Sequence, residues 1–308
     1  MAPKPFFNED DAPRIENFLK EGLSYRQIAL QFGCDHVTVS KFVRRQLPEW
    51  AERYNGRHTR PAGLRLLTID IETKPGVCYF WDVREQYIPP ERIISEKATF
   101  AFAAKWLGED AVEFRSDFHD GHVDMVTRAH QLLSEADGVV TYNGARFDLP
   151  HLNLEFLRNG MKPPAPYKSV DLLQTIRRKF NFTSNRLQRV SEALGIGSKV
   201  EHEGFALWEK CMAGDKDAWS RMRAYNIQDV KLSEELYLDI LPWIEQHPSY
   251  AAFTTDTVCP NCGSDELVEK GYYRTKTGTY RRYQCRCGKW VRDTRRSFRA
   301  EITETAMS

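Results

Sequence analysis

Residues 66–73, which read LLTIDIET, place two acidic side chains in an otherwise apolar stretch. The apolar residues predict a short buried strand over residues 64–71. Side chains two positions apart on a strand lie on the same side, so Asp70 and Glu72 are expected to face one way together. Two like charges beside a buried strand repel each other unless a cation lies between them. The stretch therefore predicts a site for Mg²⁺ or Mn²⁺, the alternative being a solvated strand end.

A third acidic residue, Asp148, ends the stretch VVTYNGARFD at residues 139–148. This stretch predicts a strand over residues 138–142, then a glycine-containing turn, then a helix that begins at Asp148. Taken by itself, such a position favours a helix N-cap over a metal ligand.

Residues 225–230, YNIQDV, lie within a predicted helix over residues 215–239. Tyr225 and Asp229 are four residues apart, so their side chains share one face of that helix. A phenol and a carboxylate on one face can reach a common site, although a surface Tyr–Asp pair is the alternative.

Taken together, these segments resemble the three motifs of the DEDD superfamily of 3′→5′ exonucleases, which includes polymerase proofreading domains. The motifs occur in the family's order, and the third has the tyrosine of the DEDDy branch. The resemblance extends to stand-alone members encoded by phages and bacteria. The matching residues are Asp70 and Glu72 in the first motif, Asn143, Phe147 and Asp148 in the second, and Tyr225 and Asp229 in the third.

The resemblance implies an exonuclease domain over residues 64–250 with an RNase H-like fold, a mixed five-stranded sheet with helices on both faces. It also implies a two-metal-ion mechanism, in which two Mg²⁺ or Mn²⁺ ions are cofactors. Tyr225 is expected to orient the attacking water, because a phenol with a pKa near 10 is a poor base at neutral pH. The implied metal ligands are Asp70, Glu72, Asp148 and Asp229. The resemblance also implies that the backbone around Ile71 and Thr73 lies against the terminal nucleotide, and the implied nucleic-acid contacts are Thr73, Asn143 and Phe147.

The order of the other predicted elements agrees with this fold class. Strands followed by alternating strands and helices favour a mixed α/β sheet. Asp171 is expected to cap the helix that follows it rather than to bind metal. The further predicted strands are residues 99–107 and 111–115, and the further predicted helices are residues 122–135, 148–158, 171–180 and 184–194.

Residues 1–50 predict a small all-α domain that resembles the helix-turn-helix of resolvases and transposases. Small Ala29 fits a helix crossing, and Gly33 fits the turn between the second and third helices. Such a domain places its last helix in the major groove of DNA, whereas a protein-contact module is the alternative. The nucleic-acid contacts predicted on that helix include Thr38, Lys41, Arg44 and Arg45. Residues 51–63 predict a linker.

Residues 254–308 contain four of the seven cysteines, in the stretches CPNCG at 259–263 and CRCG at 285–288. Four thiolates form a closed tetrahedral site, which predicts one structural Zn²⁺ held by Cys259, Cys262, Cys285 and Cys287. The segment resembles a zinc ribbon, although its second pair is Cys-x-Cys rather than Cys-x-x-Cys. Its tyrosines and arginines, including Arg281 and Arg282, predict contact with nucleic acid, with protein contact as the alternative.

Charge is unevenly distributed in a chain whose formal net charge is +1, because residues 270–300 contain 11 Lys and Arg and one acid, Asp293. No apolar run approaches the roughly 18 residues that span a bilayer, and the N-terminus lacks the apolar core of a signal peptide. These features predict a cytoplasmic protein of a bacterial or phage-infected cell, with nucleic acid as its partner and no membrane contact.

The hypothesis that unites these features is a metal-dependent 3′→5′ DNA exonuclease that acts in replication, repair or recombination and grips DNA with its two terminal domains. The helix-turn-helix is the feature that favours DNA over RNA. The alternatives are an RNA exonuclease and a non-catalytic DNA-binding or transposase-like protein.

Overall fold

The computed structural model of the chain describes residues 6–20, 25–34, 36–48, 50, 63–84, 87–197 and 203–299. The chain divides into two compact units, Met1–Arg60 and Pro61–Ser308. Among the described residues, no helix is both long enough and apolar enough to cross a bilayer.

The described part of the N-terminal unit contains helices α1 (Ala12–Lys20), α2 (Tyr25–Phe32) and α3 (His36–Gln46). Their apolar faces share a core in which Ala29 is 3% exposed. Gly33 follows α2 with a φ of 67°, a left-handed conformation that glycine adopts without strain. The three helices agree with the predicted all-α unit, and its identity as a helix-turn-helix stays a prediction.

A mixed sheet of five strands forms the centre of the second unit. Its strands are β1 (Leu66–Lys74), β4 (Ala98–Trp106), β5 (Glu113–Ser116), β6 (Gly138–Thr141) and β7 (Lys168–Asp171), and two short strands, β2 (Val77–Cys78) and β3 (Ile93–Ser95), form a separate pair. The order is β5-β4-β1-β6-β7. The pairs β1–β4 and β4–β5 are antiparallel, and the pairs β1–β6 and β6–β7 are parallel. The central strand is thus β1, which carries the first acidic motif.

Helices cover both faces of this sheet, as the sequence predicts. They are α4 (Asp117–Asp120), α5 (His122–Ser134), α6 (Asp148–Arg158), α7 (Leu172–Lys179), α8 (Leu187–Ala193), α9 (Phe205–Met212) and α10 (Lys216–Ile240). One core joins Ile69 and Ile71 of β1 to apolar residues of α5 and α6. The other joins Leu66 to apolar residues of α7, α8 and α10. The predicted fold class is confirmed.

The C-terminal segment forms a small antiparallel sheet on which β9 (Gly278–Cys285) is the common partner. Strands β8 (Leu267–Arg274), β10 (Trp290–Arg292) and β11 (Phe298–Arg299) all pair with β9. The antiparallel β8–β9 pair forms a two-stranded ribbon, which is compatible with the resemblance to a zinc ribbon. Val258 and Cys262 pack against the core around α10, so the base of the ribbon contacts the five-stranded domain.

Candidate active site and cysteine cluster

The two acidic residues of β1 lie on the face of the sheet that α10 covers. Ile69 and Ile71 are buried in the core on the opposite face, so strand alternation turns Asp70 and Glu72 towards α10. Both carboxylates are half-buried, and a β-bulge interrupts the pairing with β4 between Glu72 and Thr73. Bulges bend a strand and re-aim its side chains, and they are common beside active sites.

Asn226 is a site residue that the sequence analysis missed. Its side-chain Nδ2 donates to Oδ2 of Asp70 at 2.7 Å and to the Asp70 carbonyl at 3.2 Å. The residue is fully buried on α10, one position after Tyr225. It fixes the Asp70 carboxylate against the helix that carries Tyr225 and Asp229. Its position between Tyr225 and Asp229 in the third motif is the sequence feature that could have identified it as a site residue.

Asp148 joins the second motif to the first. It is the first residue of α6, and its Oδ1 accepts a hydrogen bond of 3.0 Å from the N–H of Ile71. The N-cap position is occupied by Phe147, and no side chain caps the helix. The interpretation of Asp148 as an N-cap is therefore wrong. The parallel pairing of β1 with β6 ends at Thr68 and Val140, and beyond that point the Asp148 carboxylate bonds the β1 backbone.

Burial raises the pKa of Asp148 to about 7, with a smaller contribution from the charge of Asp171, although the N–H groups of Ile71 and Asp148 itself oppose the rise. An unfolded aspartate has a pKa of about 3.9. Between about pH 3.9 and about pH 7, and without divalent ions, the Asp148 carboxyl is therefore protonated in the folded protein and ionised in the unfolded chain. The contribution of this carboxyl to the free energy of unfolding falls as pH rises through that window and stays unfavourable above it.

We expect Asp148→Asn to remove this unfavourable contribution while keeping the bond from Ile71. At pH 8, in buffer without Mg²⁺ or Mn²⁺, the variant should be at least as stable as the wild type, and its advantage should shrink towards pH 5. Urea unfolding midpoints of both proteins across this range would check the expectation. A variant that is less stable than the wild type at pH 8 would contradict it.

Tyr225 and Asp229 converge with the β1 carboxylates. The Tyr225 hydroxyl donates a hydrogen bond to Asp229, and the pKa of the phenol is strongly raised, first by burial and then by the charges of Asp229, Glu72 and Asp70. The ring packs against the apolar cluster between β4, α9 and α10, 6.2 Å from the ring of Trp208. Residues of the first and third motifs therefore surround one phenol, which stays protonated at neutral pH.

Asp171 holds the loop that leads into Asp148. Its carboxylate accepts hydrogen bonds from the N–H of Leu173 at 3.0 Å, which caps α7, and from the N–H of Asn143 at 2.9 Å. The predicted capping role of Asp171 is confirmed. Asn143 has a φ of 71°, an uncommon left-handed conformation for a residue with a side chain. Asp171 thus stabilises the strained turn between β6 and α6 that positions Asp148.

The residues around the carboxylates fit divalent cations. Carboxylate oxygens are the ligands that Mg²⁺ and Mn²⁺ prefer. In addition, Oδ1 of Asn226 is buried beside Asp70 with no hydrogen-bond partner among the described residues. Such an acceptor costs about 1–3 kcal/mol unless it is satisfied, and the water shell of a cation held by Asp70 would satisfy it. Among the described residues, the four carboxylates do not form a compact cage of oxygen atoms. The fit rests instead on the contacts of Asp70, Asp148 and Tyr225 described above.

The four cysteines of the C-terminal segment form a compact cluster. All four Sγ atoms lie within 4.8 Å of one another. Two pairs are closer, with Cys259 and Cys287 at 3.8 Å and Cys262 and Cys285 at 3.5 Å. A tetrahedral zinc site with Zn–S bonds of about 2.3 Å has sulfur atoms about 3.8 Å apart. The cluster has the composition and spacing of a structural Zn²⁺ site, including its Cys-x-Cys pair.

Side chains next to the cysteines attach this cluster to the end of α10. Nδ2 of Asn261 donates to the carbonyls of Leu241 and Ile244, both at 3.0 Å, and Nζ of Lys289 donates to the Ile244 carbonyl at 2.8 Å. Asn261 is 5% exposed. Order in the cysteine cluster is thereby coupled to the turn that follows the helix of Tyr225 and Asp229.

We expect Cys287→Ser to lose bound zinc and to lower the thermal unfolding midpoint by roughly 5 °C or more, because zinc binding in such modules is also folding free energy. Elemental analysis and calorimetry of the intact protein would measure both effects. Cys78→Ser is the matched control, since Cys78 is a half-buried thiol on β2 outside the cluster. Unchanged zinc content in Cys287→Ser would count against the site, and zinc loss without a shift would count against the coupling.

The residues of the two terminal segments that are predicted to contact nucleic acid differ in exposure and in their contacts within the protein. On α3, Arg45 is exposed and Thr38 is half-buried, while the side chains of Lys41 and Arg44 lie outside the described part of the chain. On β9, Arg281 is exposed and lies 3.7 Å from Glu269. The Arg282 guanidinium bonds the Lys270 carbonyl and lies 4.6 Å from the centre of the Trp290 ring.

Comparison with known proteins gave a family match and a similar solved structure. Residues 95–240 match the model of the RNase_H superfamily. That span contains Asp148, Tyr225 and Asp229 but begins after β1. The structure of the family B DNA polymerase from the hyperthermophilic archaeon Pyrobaculum calidifontis is similar at 20% identity and a TM-score of 0.44. The alignment covers 59% of this chain and 25% of the polymerase chain.

None of the curated proteins matches the chain. The family match agrees with the observed mixed sheet, because the matched residues 95–240 contain four of its five strands, β4, β5, β6 and β7. The second unit of the chain therefore contains an RNase H-like α/β domain built on the predicted five-stranded sheet.

Proposed function

We propose that the protein is a metal-dependent 3′→5′ exonuclease of the DEDDy branch that hydrolyses phosphodiester bonds of DNA. The observation that carries this proposal is the convergence of three motifs that are distant in sequence. Asp148 bonds the backbone between the two β1 carboxylates. Asn226 bonds Asp70, and the charges of the first and third motifs act on Tyr225.

The four carboxylates would hold two Mg²⁺ or Mn²⁺ ions. When bound, such ions polarise the phosphate and lower the pKa of a water molecule that attacks it. The ligands are Asp70, Glu72, Asp148 and Asp229.

The protein's own groups would supply positioning. Tyr225 keeps its proton at neutral pH, so its hydroxyl orients the attacking water by hydrogen bonding rather than by removing a proton. Asn226 keeps the Asp70 carboxylate in place. Thr73 at the bulge, together with Asn143 and Phe147 before α6, would contact the terminal nucleotide.

DNA is the preferred substrate in this proposal because the N-terminal helices fit a DNA-binding helix-turn-helix. The α3 residues Thr38, Lys41, Arg44 and Arg45 and the ribbon residues Arg281 and Arg282 would contact the phosphate backbone. The ribbon would hold one structural Zn²⁺. The protein would act in replication, repair or recombination in the cytoplasm of a bacterial or phage-infected cell.

The test is incubation of the purified protein with labelled linear DNA and RNA, both single-stranded and double-stranded, with Mg²⁺, with Mn²⁺ or without divalent ions. We expect stepwise shortening of linear DNA that requires a divalent ion, and no cleavage of circular single-stranded DNA. If RNA were degraded faster than DNA, RNA would be the substrate instead of DNA. Absence of hydrolysis under all conditions would leave a DNA-binding protein as the better description.

A further inference from the structure

An exposed aromatic segment leaves the five-stranded sheet directly beside the candidate active site. Residues 75–97 connect β1 to β4, which are adjacent strands, and β2 and β3 pair at the base of the segment. The exposed fractions are 71% for Tyr79, 56% for Phe80, 88% for Trp81 and 71% for Tyr87. We call these four residues the aromatic platform. Exposing so many rings is unfavourable in water, so the platform indicates a binding surface.

Both ends of the segment are fixed at the site. Its first end follows the bulge after Glu72, and a Cβ at Gly76 would lie 2.9 Å from the Ser95 carbonyl, so the two chain ends approach closely there. Its other end reaches Lys97, whose Nζ lies 5.8 Å from the ring centre of Phe147, the residue before Asp148. Tyr79 lies seven positions after Glu72, so at most about 24 Å of extended chain joins their Cα atoms.

We infer that the aromatic platform stacks the unpaired bases of a single-stranded 3′ end whose terminal phosphodiester lies at the carboxylates. This inference rests on the proposed function and names its substrate class. Aromatic rings stack on any base without reading sequence, but only on bases that are not paired. The carboxylates would hold the phosphate, and Thr73, Asn143 and Phe147 would contact the terminal nucleotide. The platform would supply contact with the unpaired bases that precede that nucleotide.

The composition of the segment favours this occupant over a purely electrostatic one. Residues 75–97 have a formal net charge of −1, because Arg84, Arg92 and Lys97 are opposed by Asp82, Glu85, Glu91 and Glu96. Electrostatic attraction of phosphates would therefore contribute little to binding at this segment. Among its described residues, the segment exposes four aromatic side chains and four aliphatic ones, Val77, Val83, Ile93 and Ile94, and the aromatic rings supply the flat faces that suit base stacking. The platform therefore predicts preference for single-stranded or frayed ends over blunt duplexes.

The test is binding of a short single-stranded oligonucleotide that carries 2-aminopurine near its 3′ end to the full-length protein, without added Mg²⁺ or Mn²⁺. Stacking quenches 2-aminopurine, so the signal does not depend on hydrolysis. The double variant Tyr79→Leu and Trp81→Leu should lose the quenching and bind about 5- to 150-fold more weakly for each base stack lost. The matched variant Tyr79→Phe and Trp81→Phe should keep both, because it keeps the rings.

The outcomes separate this inference from the proposed function. If the quenching depends on the rings but the protein does not hydrolyse DNA, base stacking on the platform would be supported and the proposed exonuclease activity would be rejected. Hydrolysis by a leucine variant that binds and quenches like the wild type would overturn the platform and leave the exonuclease intact. A leucine variant that changes only the oligomeric state in sedimentation would also overturn it, by assigning the surface to a second copy of the chain.

Discussion

Replacement of Asp148 by asparagine is expected to reduce hydrolysis of DNA by about 10³-fold or more while the fold is retained. Asparagine preserves the side-chain volume and an oxygen that can accept from the N–H of Ile71, so the link between α6 and β1 survives. It removes the negative charge that would hold a metal ion. Metal ions stabilise such transition states by several kcal/mol, and about 4 kcal/mol corresponds to about a thousandfold in rate.

Glu155→Gln is the matched control for Asp148→Asn. Glu155 is also a buried carboxylate on α6, with 3% exposed, and its Oε1 accepts a hydrogen bond of 3.0 Å from the backbone N–H of Thr99. It lies two helical turns beyond Asp148, outside the proposed ligand set. We expect Glu155→Gln to hydrolyse DNA at close to the wild-type rate. A rate for Asp148→Asn within tenfold of the wild type would remove Asp148 from the ligands.

Replacement of Tyr225 by phenylalanine is expected to slow hydrolysis by about 10²- to 10⁴-fold, the usual range for a group that positions or transfers a proton. Phenylalanine keeps the packing of the ring between β4, α9 and α10 and loses only the hydroxyl. Metal binding should persist, because the four carboxylates are intact. Single-turnover rates and Mn²⁺ titrations of the variant would measure the two properties separately.

Tyr237→Phe provides the control on the same helix. Its hydroxyl lies 2.7 Å from Nε2 of His247 and does not contact the candidate site. The control should lose stability but keep its rate of hydrolysis. If Tyr225→Phe were as fast as the wild type, Tyr225 would be a packing residue and the water would be oriented by another group.

The elements that could be predicted from the sequence are those with strong local patterns. The helix over residues 148–158 was predicted with its observed ends, and the apolar run of β1 predicted the central strand. The strand β7 was missed by the pattern analysis, because it has four residues and its one apolar residue is Val170. The helix α9 was missed because its apolar side chains are divided, with Leu207 buried and Phe205 60% exposed.

The contacts that define the site are of long range, and local patterns do not contain them. The bond between Asp148 and Ile71 joins residues 77 positions apart, so the position at a helix start suggested a cap instead. The contact between Asn226 and Asp70 depends on how α10 lies over β1. A neutral amide between two motif residues does not by itself predict that contact. The aromatic platform was overlooked for a similar reason, since its exposure appears only once β1 and β4 are paired.

The direction of hydrolysis is measured by comparing one single-stranded DNA labelled at its 5′ end with the same strand labelled at its 3′ end, in Mg²⁺. A 3′→5′ exonuclease should give a descending ladder from the 5′ label and immediate release of a labelled mononucleotide from the 3′ label. Asp148→Asn should yield neither product, and omission of the divalent ion should have the same effect. Hydrolysis from the 3′ end at the carboxylates would be contradicted by a ladder from the 3′ label, by internal cuts, or by equal degradation by Asp148→Asn.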